Sequence, residues 1–294
     1  MKYFHGYNKQ HSYFEGWYLK QQNTTDAVAF IPAFHVDENG YKKTSLQVIT
    51  NDISHRIEYP ISKFKIRRNH FSIRLGNNIF TERGCKLDCN TKDIKMKGSL
   101  DYGLFKKPMY DIMGPFRFVP FMECRHSVFS LTHVVNGRVI INDKEYRFHN
   151  HRGYMEGDRG QSFPKRYIWT QCNWKKHCIM VSIADIPFCG GSFIGLIGSI
   201  LYKGKEYRLA TYLGVKILHL SNTSFYISQG DLTLMVELLE QNVKPLYAPI
   251  YGNMERTIHE SIACKVQYTC IYKEEVIFRF ISNQASYEAN WSED

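Results

Sequence analysis

Phe71-Ser72-Ile73-Arg74-Leu75-Gly76-Asn77 alternates apolar with polar side chains and then places glycine beside asparagine. Alternation with period two marks a half-buried strand, and a Gly-Asn pair accepts the positive φ of a tight hairpin turn. Working outward, Phe64 and Ile66 lie between Lys63, Lys65 and Arg67, and Ile94 and Met96 stand against Lys95 and Lys97. Val266, Tyr268, Cys270 and Tyr272 alternate with Lys265, Gln267 and Thr269. Asn39-Gly40, Asn136-Gly137 and Lys203-Gly204 offer further hairpin turns. No helical stripe of comparable length appears. The class expected is mainly β, an antiparallel barrel or sandwich rather than a parallel sheet.

With 294 residues, 44% of them hydrophobic, and 20 Tyr, 19 Phe and 4 Trp, the chain can fill large cores, which excludes disorder and a small disulfide scaffold. Two domains are expected, residues 1–160 and 161–294. Tyr13-Phe14-Glu15-Gly16 echoes Tyr154-Met155-Glu156-Gly157 faintly, as a duplication would. Ile179 to Leu201 is apolar enough to raise a membrane span, but Asp185, Pro187, Gly190-Gly191, Gly195 and Gly198 cut it into strand-sized pieces.

The net charge of +10 favours anionic surfaces, nucleic acid or acidic lipid. The densest cluster, Lys63, Lys65, Arg67 and Arg68, alternates with apolar residues and reads as a solvated strand face rather than a phosphate track. Most aromatics alternate as core faces do, so no nucleic-acid partner is expected. Peripheral contact with an anionic membrane is. Met1 to Gln10 lacks the apolar run of a signal peptide, which points to the cytoplasm, at the inner face of the membrane where contact occurs. The eight cysteines (Cys85, Cys89, Cys124, Cys172, Cys178, Cys189, Cys264 and Cys270) then read as reduced thiols.

Four segments place carboxylates among aromatics: Tyr13 to Tyr18, Met113 to Glu123, Tyr154 to Asn173, and Pro249 to Glu260. An apolar setting raises a carboxyl pKa and makes it a general acid near neutral pH, although Glu15 could equally hydrogen-bond backbone at a strand start. His149 and His151 would share a strand face, but their spacing offers no third ligand, and no metal is expected. Gly190 to Gly195 lacks the Lys-Ser/Thr ending of a phosphate loop and reads as a turn.

Tyr154-Met155-Glu156-Gly157-Asp158-Arg159-Gly160, then Phe163-Pro164, then a strand with Trp169, Gln171, Cys172 and Asn173 resembles the tocopherol cyclase family. Tyr13-Phe14-Glu15-Gly16-Trp17-Tyr18 is similar to that family's amino-terminal motif, and Met113-Gly114-Pro115-Phe116, Glu123 and Pro245-Leu246-Tyr247-Ala248-Pro249 extend the match. The resemblance reaches more faintly to carotenoid hydratases and lipocalin-like cyclases. It implies two lipocalin-like β domains with a hydrophobic pocket in or between them. The reaction it implies is cofactor-free, acid-catalysed cyclisation, isomerisation or hydration of a lipophilic, prenylated substrate. Asp158 and Glu156 are then the candidate acids, with Glu15 as a third. Gln171 and Asn173 would orient the substrate oxygen, and Tyr154, Trp17, Trp169 and Glu123 would line the pocket. Arg159 stands where the family has Trp, and an Arg paired with Asp158 would oppose protonation of an alkene. A non-catalytic carrier of a hydrophobic molecule is the alternative reading.

Overall fold

A computed structural model describes residues 3–67, 70–119, 122–188 and 190–291, so Arg68 and Cys189 lie outside the described residues. The chain forms two compact units. One comprises Met1–Lys107, Glu123–Phe163 and Tyr247–Thr257, and the other Pro108–Met122, Pro164–Leu246 and Ile258–Asp294.

The first sheet holds β1 (Tyr13–Gln22), β2 (Ala27–Val36), β3 (Lys42–Thr50), β4 (Ser54–Tyr59), β5 (Phe64–Ile66), β6 (Ser72–Leu75), β7 (Asn78–Thr81), β8 (Gly84–Asn90), β9 (Lys95–Tyr102), β10 (Cys124–Ile141) and β11 (Lys144–Gly160). Its order is β4-β3-β2-β1-β11-β10-β9-β8-β7-β6-β5, and it curls into a nearly closed barrel. Alternation decides which side chains go inward. Tyr13, Trp17 and Leu19 of β1 join Phe30, Leu46, Phe80, Leu100 and Met155 in one apolar core. Each such large side chain contributes about 1.5–3 kcal/mol by leaving water. Tyr3 and Phe4 fill the same interior: Phe4 packs on Trp17, Phe34 and Phe64, and Tyr3 stacks on Phe129 while donating its hydroxyl hydrogen to Glu82.

The second sheet holds β12 (Tyr167–Trp174), β13 (His177–Phe188), β14 (Gly191–Tyr202), β15 (Lys205–Ala210), β16 (Lys216–Leu220), β17 (Ser224–Gln229), β18 (Leu232–Glu240), β19 (Lys244–Ile250), β20 (Asn253–Tyr272) and β21 (Glu275–Asn290). Its order is β15-β14-β13-β12-β21-β20-β18-β17-β16, with β19 pairing β20, and it forms a half-barrel around a separate core of Ile168, Ile183, Phe225, Val236 and Tyr268. The mainly β, lipocalin-like class is thus what the chain adopts.

In detail the structure departs from the sequence reading in three places, the first being Gly190 to Gly195, read as a turn, of which Gly191 to Gly195 open strand β14 and pair with β13. Asn136-Gly137 lies inside β10, where the register shifts between Val135 and Gly137. A β-bulge uses positive φ as readily as a turn does, and at φ +113 a Cβ on Gly137 would stand 2.4 Å from the Ser99 carbonyl oxygen. The Tyr13 and Tyr154 segments, read as an echo between domains, lie on β1 and β11, neighbouring strands of one sheet. The stretch from Ile179 to Leu201 forms the β13 and β14 strands, and among the described residues no helix is long and apolar enough to cross a membrane. None of the described cysteines forms a disulfide.

Candidate active site on the outer face of the first sheet

Strand register builds a polar cluster on the face of the first sheet opposite its apolar core. Gly16 pairs Asp158, Tyr18 pairs Glu156 and Lys20 pairs Tyr154 across β1 and β11, while His126 pairs Asp158 and Val128 pairs Glu156 across β10 and β11. Directly opposed residues share a face, so Tyr154, Glu156, Asp158 and His126 stand together. Gly157 separates the two acids because the core side has no room there. A Cβ would stand 2.9 Å from Phe129 Cε2 and 3.2 Å from Trp17 Cδ1. Gly160 closes the motif for a different reason, since a Cβ there would meet backbone, 1.9 Å from the Glu123 carbonyl oxygen.

His126 is clasped between the carboxylates. Nδ1 lies 2.8 Å from Asp158 Oδ1 and Nε2 lies 3.1 Å from Glu156 Oε2, the second an ion-pair contact rather than an aligned hydrogen bond. The side chains of His126, Glu156 and Asp158 are 10%, 6% and 23% exposed. Burial alone would lower the His126 pKa, but the charges of Asp158 and Glu156 and the hydrogen bond to Asp158 hold it well above the usual 6.5. Two other buried histidines behave oppositely: burial, with Arg56 and Lys43 near one and Arg152 near the other, pushes His35 and His133 down to about 3. His126 is therefore held as an imidazolium at neutral pH. Tyr154 Oη donates to Glu156 Oε2 at 2.5 Å, and Cys124 Sγ donates to Asp158 Oδ1 at 3.6 Å. Asp158 Oδ1 thus takes both the His126 and the Cys124 contact.

Ligand atoms of His126, Glu156 and Asp158 lie within 4.8 Å of one another, close enough to raise a metal ion. The two ring nitrogens face different carboxylates, so one cation could not replace the proton without turning the ring. The donor set fits proton storage better than coordination.

Other predicted residues sit elsewhere. Glu15 and Trp17 point to the core face. There Glu15 accepts hydrogen bonds from the His5 amide at 2.8 Å, His5 Nδ1 at 2.9 Å and Tyr13 Oη at 2.8 Å, which fastens the amino-terminal segment. Arg159 also points inward and donates to Ser127 Oγ at 3.2 Å, so the cation opposing Asp158 is His126 rather than Arg159. The Glu123 carbonyl accepts from the amides of Gln161 and Ser162. Trp169, Gln171 and Asn173 line the non-core face of β12 in the second unit, all buried. Gln171 Oε1 has no hydrogen-bond partner among the described residues. Tyr167, two positions before Trp169, donates its hydroxyl hydrogen to Glu288. His149 and His151 bond to each other, the His149 amide donating to His151 Nδ1 at 2.9 Å across Asn150 at φ +55. The sequence reading missed His126, and with it the buried Lys20. Only a register between strands far apart in the chain brings His126 to the acids, and no local spacing signals that.

Residues 82–191 match the family model described as tocopherol cyclase-like, so the resemblance read from the motifs holds over that stretch. No curated protein matches the chain. Among solved structures, kievitone hydratase from Nectria haematococca aligns with a TM-score of 0.53 at 9% identity, over 95% of this chain and 89% of that one. An AttH-type protein of Nitrosomonas europaea aligns with a TM-score of 0.53 at 12% identity, over 93% and 91%. At such identities the likeness is one of fold.

Proposed function

We propose that this tocopherol cyclase-like chain is an enzyme of the cyclase or hydratase type, acting by proton transfer on a lipophilic, prenylated substrate. The observation that carries the reading is His126 buried with its two ring nitrogens against Asp158 and Glu156, an arrangement that raises its pKa and favours the imidazolium. In the proposed step a proton leaves the His126 and Asp158 pair for an alkene carbon, and the positive charge passes from the ring to the carbocation. The two carboxylates that steady the imidazolium then steady the carbocation, so the field is already oriented for the transition state. A substrate hydroxyl closes the ring, or water adds, and the oxygen's proton returns to the pair. No electrons leave the substrate, so the chemistry asks for no redox cofactor.

Glu156, which accepts the Tyr154 hydroxyl, serves as the charge holder, and Asp158 as the relay: its Oδ1 takes the Nδ1 proton of His126 and the carboxyl hands that proton to the alkene, so His126 ends neutral and Asp158 again a carboxylate. Purified protein assayed by mass spectrometry against prenylated phenols tests the reading. Asp158→Asn should cut turnover about 10²–10⁴-fold while substrate still binds, and Glu15→Gln should keep it. Retained lipid with no turnover in the wild type would instead make the protein a carrier.

A further inference from the structure

The net positive charge is unevenly placed. The first unit carries 25 Lys and Arg against 16 Asp and Glu, and the second 13 against 12. Register gathers part of that excess into one line across seven strands: Lys65 pairs Arg74, Arg74 pairs Ile79, Ile79 pairs Lys86, Lys86 pairs Ser99, Ser99 pairs Arg138 and Arg138 pairs Arg147. All five cations are exposed. Lys97 lies one row away, opposite Asp88 on one side and Ile140 on the other. Glu145 engages Arg138 at 3.3 Å and Arg147 at 2.5 Å. Lys65, Arg74, Lys86 and Lys97 make no ion pair with a carboxylate among the described residues.

Like charges placed directly opposite destabilise a sheet, and Lys65 faces Arg74 at a strand spacing of about 4.8 Å. The sheet curls, so the row turns away from any one plane beyond β9, and we infer that its β5 to β9 part, Lys65, Arg74 and Lys86 with neighbouring Lys97, is a docking surface for an anionic phospholipid bilayer. Headgroup phosphates would offset the repulsion between those four cations. Single-stranded nucleic acid fits less well, because it needs exposed rings on which bases stack, and among the described residues no aromatic ring of β5 to β9 is exposed. Ile140, 40% exposed beside Lys97, gives the face an apolar contact of the kind a bilayer interface accepts. The inference stands independently of the catalytic reading.

Co-sedimentation of the full chain with phosphatidylcholine vesicles, with and without phosphatidylserine, tests it. Binding should require phosphatidylserine and weaken as salt rises. Lys65→Glu, Arg74→Glu, Lys86→Glu and Lys97→Glu together should lower it by more than about tenfold, since each surface cation accounts for roughly a fivefold change. The corresponding Gln set, milder for folding, should lower it in the same direction with an unchanged melting temperature. Reversing Lys175, Lys176, Lys203 and Lys273 in the second unit should leave binding intact. Equal binding to vesicles lacking phosphatidylserine, an equal loss in that control, or an oligonucleotide that competes the protein off the vesicles would overturn the proposal.

Discussion

His126 is the residue on which stability and chemistry meet. Its replacement by Gln leaves Glu156 and Asp158 buried without their cation, a change that typically costs about 3–5 kcal/mol, and chemical denaturation should show it. The pH dependence has a definite sign. The folded pKa of His126 lies above the unfolded value, so its contribution is complete below about pH 6.5 and is lost as pH rises through the folded value. The stability gap between wild type and His126→Gln should therefore narrow above pH 6.5, by at most about 1.4 kcal/mol per pH unit. A gap that widened with pH would contradict the imidazolium. Asp158, Glu156 and Tyr154 were legible through the motif that resembles the tocopherol cyclase family, and alternation along β11 sets them on one face. His126 was not, since it sits 32 positions from Asp158 and meets it only through strand pairing.

Glycines and side-chain amides hold the elements around that cluster in place. Gly157→Ala would push a methyl group at Phe129 and Trp17 on the core side, both of which are packed, and overpacking of this kind costs about 1–3 kcal/mol. Gly204→Ala is the contrast: φ is +80 with open space around it, so only the left-handed backbone cost of roughly 1–2 kcal/mol applies, and thermal melts should show no loss of core packing. Gln47 of β3 holds Tyr247 of β19 twice, accepting from its amide at 2.9 Å and donating to its carbonyl at 3.0 Å. Arg56 adds a bond to the Met254 carbonyl at 3.2 Å and lies over the Tyr247 ring. Gln47→Ala should raise amide exchange selectively in residues 247–257, and unchanged exchange there would show that the segment is held by packing alone. Most turns were readable, as at Gly76-Asn77 and Lys203-Gly204. The bulge at Gly137 was not, because the sequence marks a need for positive φ without saying whether a loop or a neighbouring strand imposes it.

At the scale of the whole chain, both sheets follow one plan. The first strand of each (β1, β12) sits mid-sheet, its successors step outward on one side, and the last strand (β11, β21) returns beside it on the other. That repeat relates β1 to β12, whereas the similar motifs of β1 and β11 are neighbours, so local likeness pointed to duplication through the wrong pair. Nor are the compact units contiguous halves. Residues Tyr247–Thr257 complete the first unit and Pro108–Met122 belong to the second. A fragment of residues 1–163 would lack the Pro249 carbonyl that accepts from Phe163, the Gly252 amide that donates to Gln161 and the Tyr251 amide that donates to Ser162, besides the partners of Gln47 and Arg56. Of these Gln47 is buried, and a buried polar group left without its partners costs about 1–3 kcal/mol, to which the more exposed backbone and Arg56 bonds add smaller losses. Expressed alone, the fragment should unfold well below the full chain or fail to unfold cooperatively. Co-expressed with residues 164–294 it should co-purify and regain the full-chain transition. An isolated fragment that melted like the whole protein would mean that the 247–257 segment only rests on the first sheet and does not stabilise it.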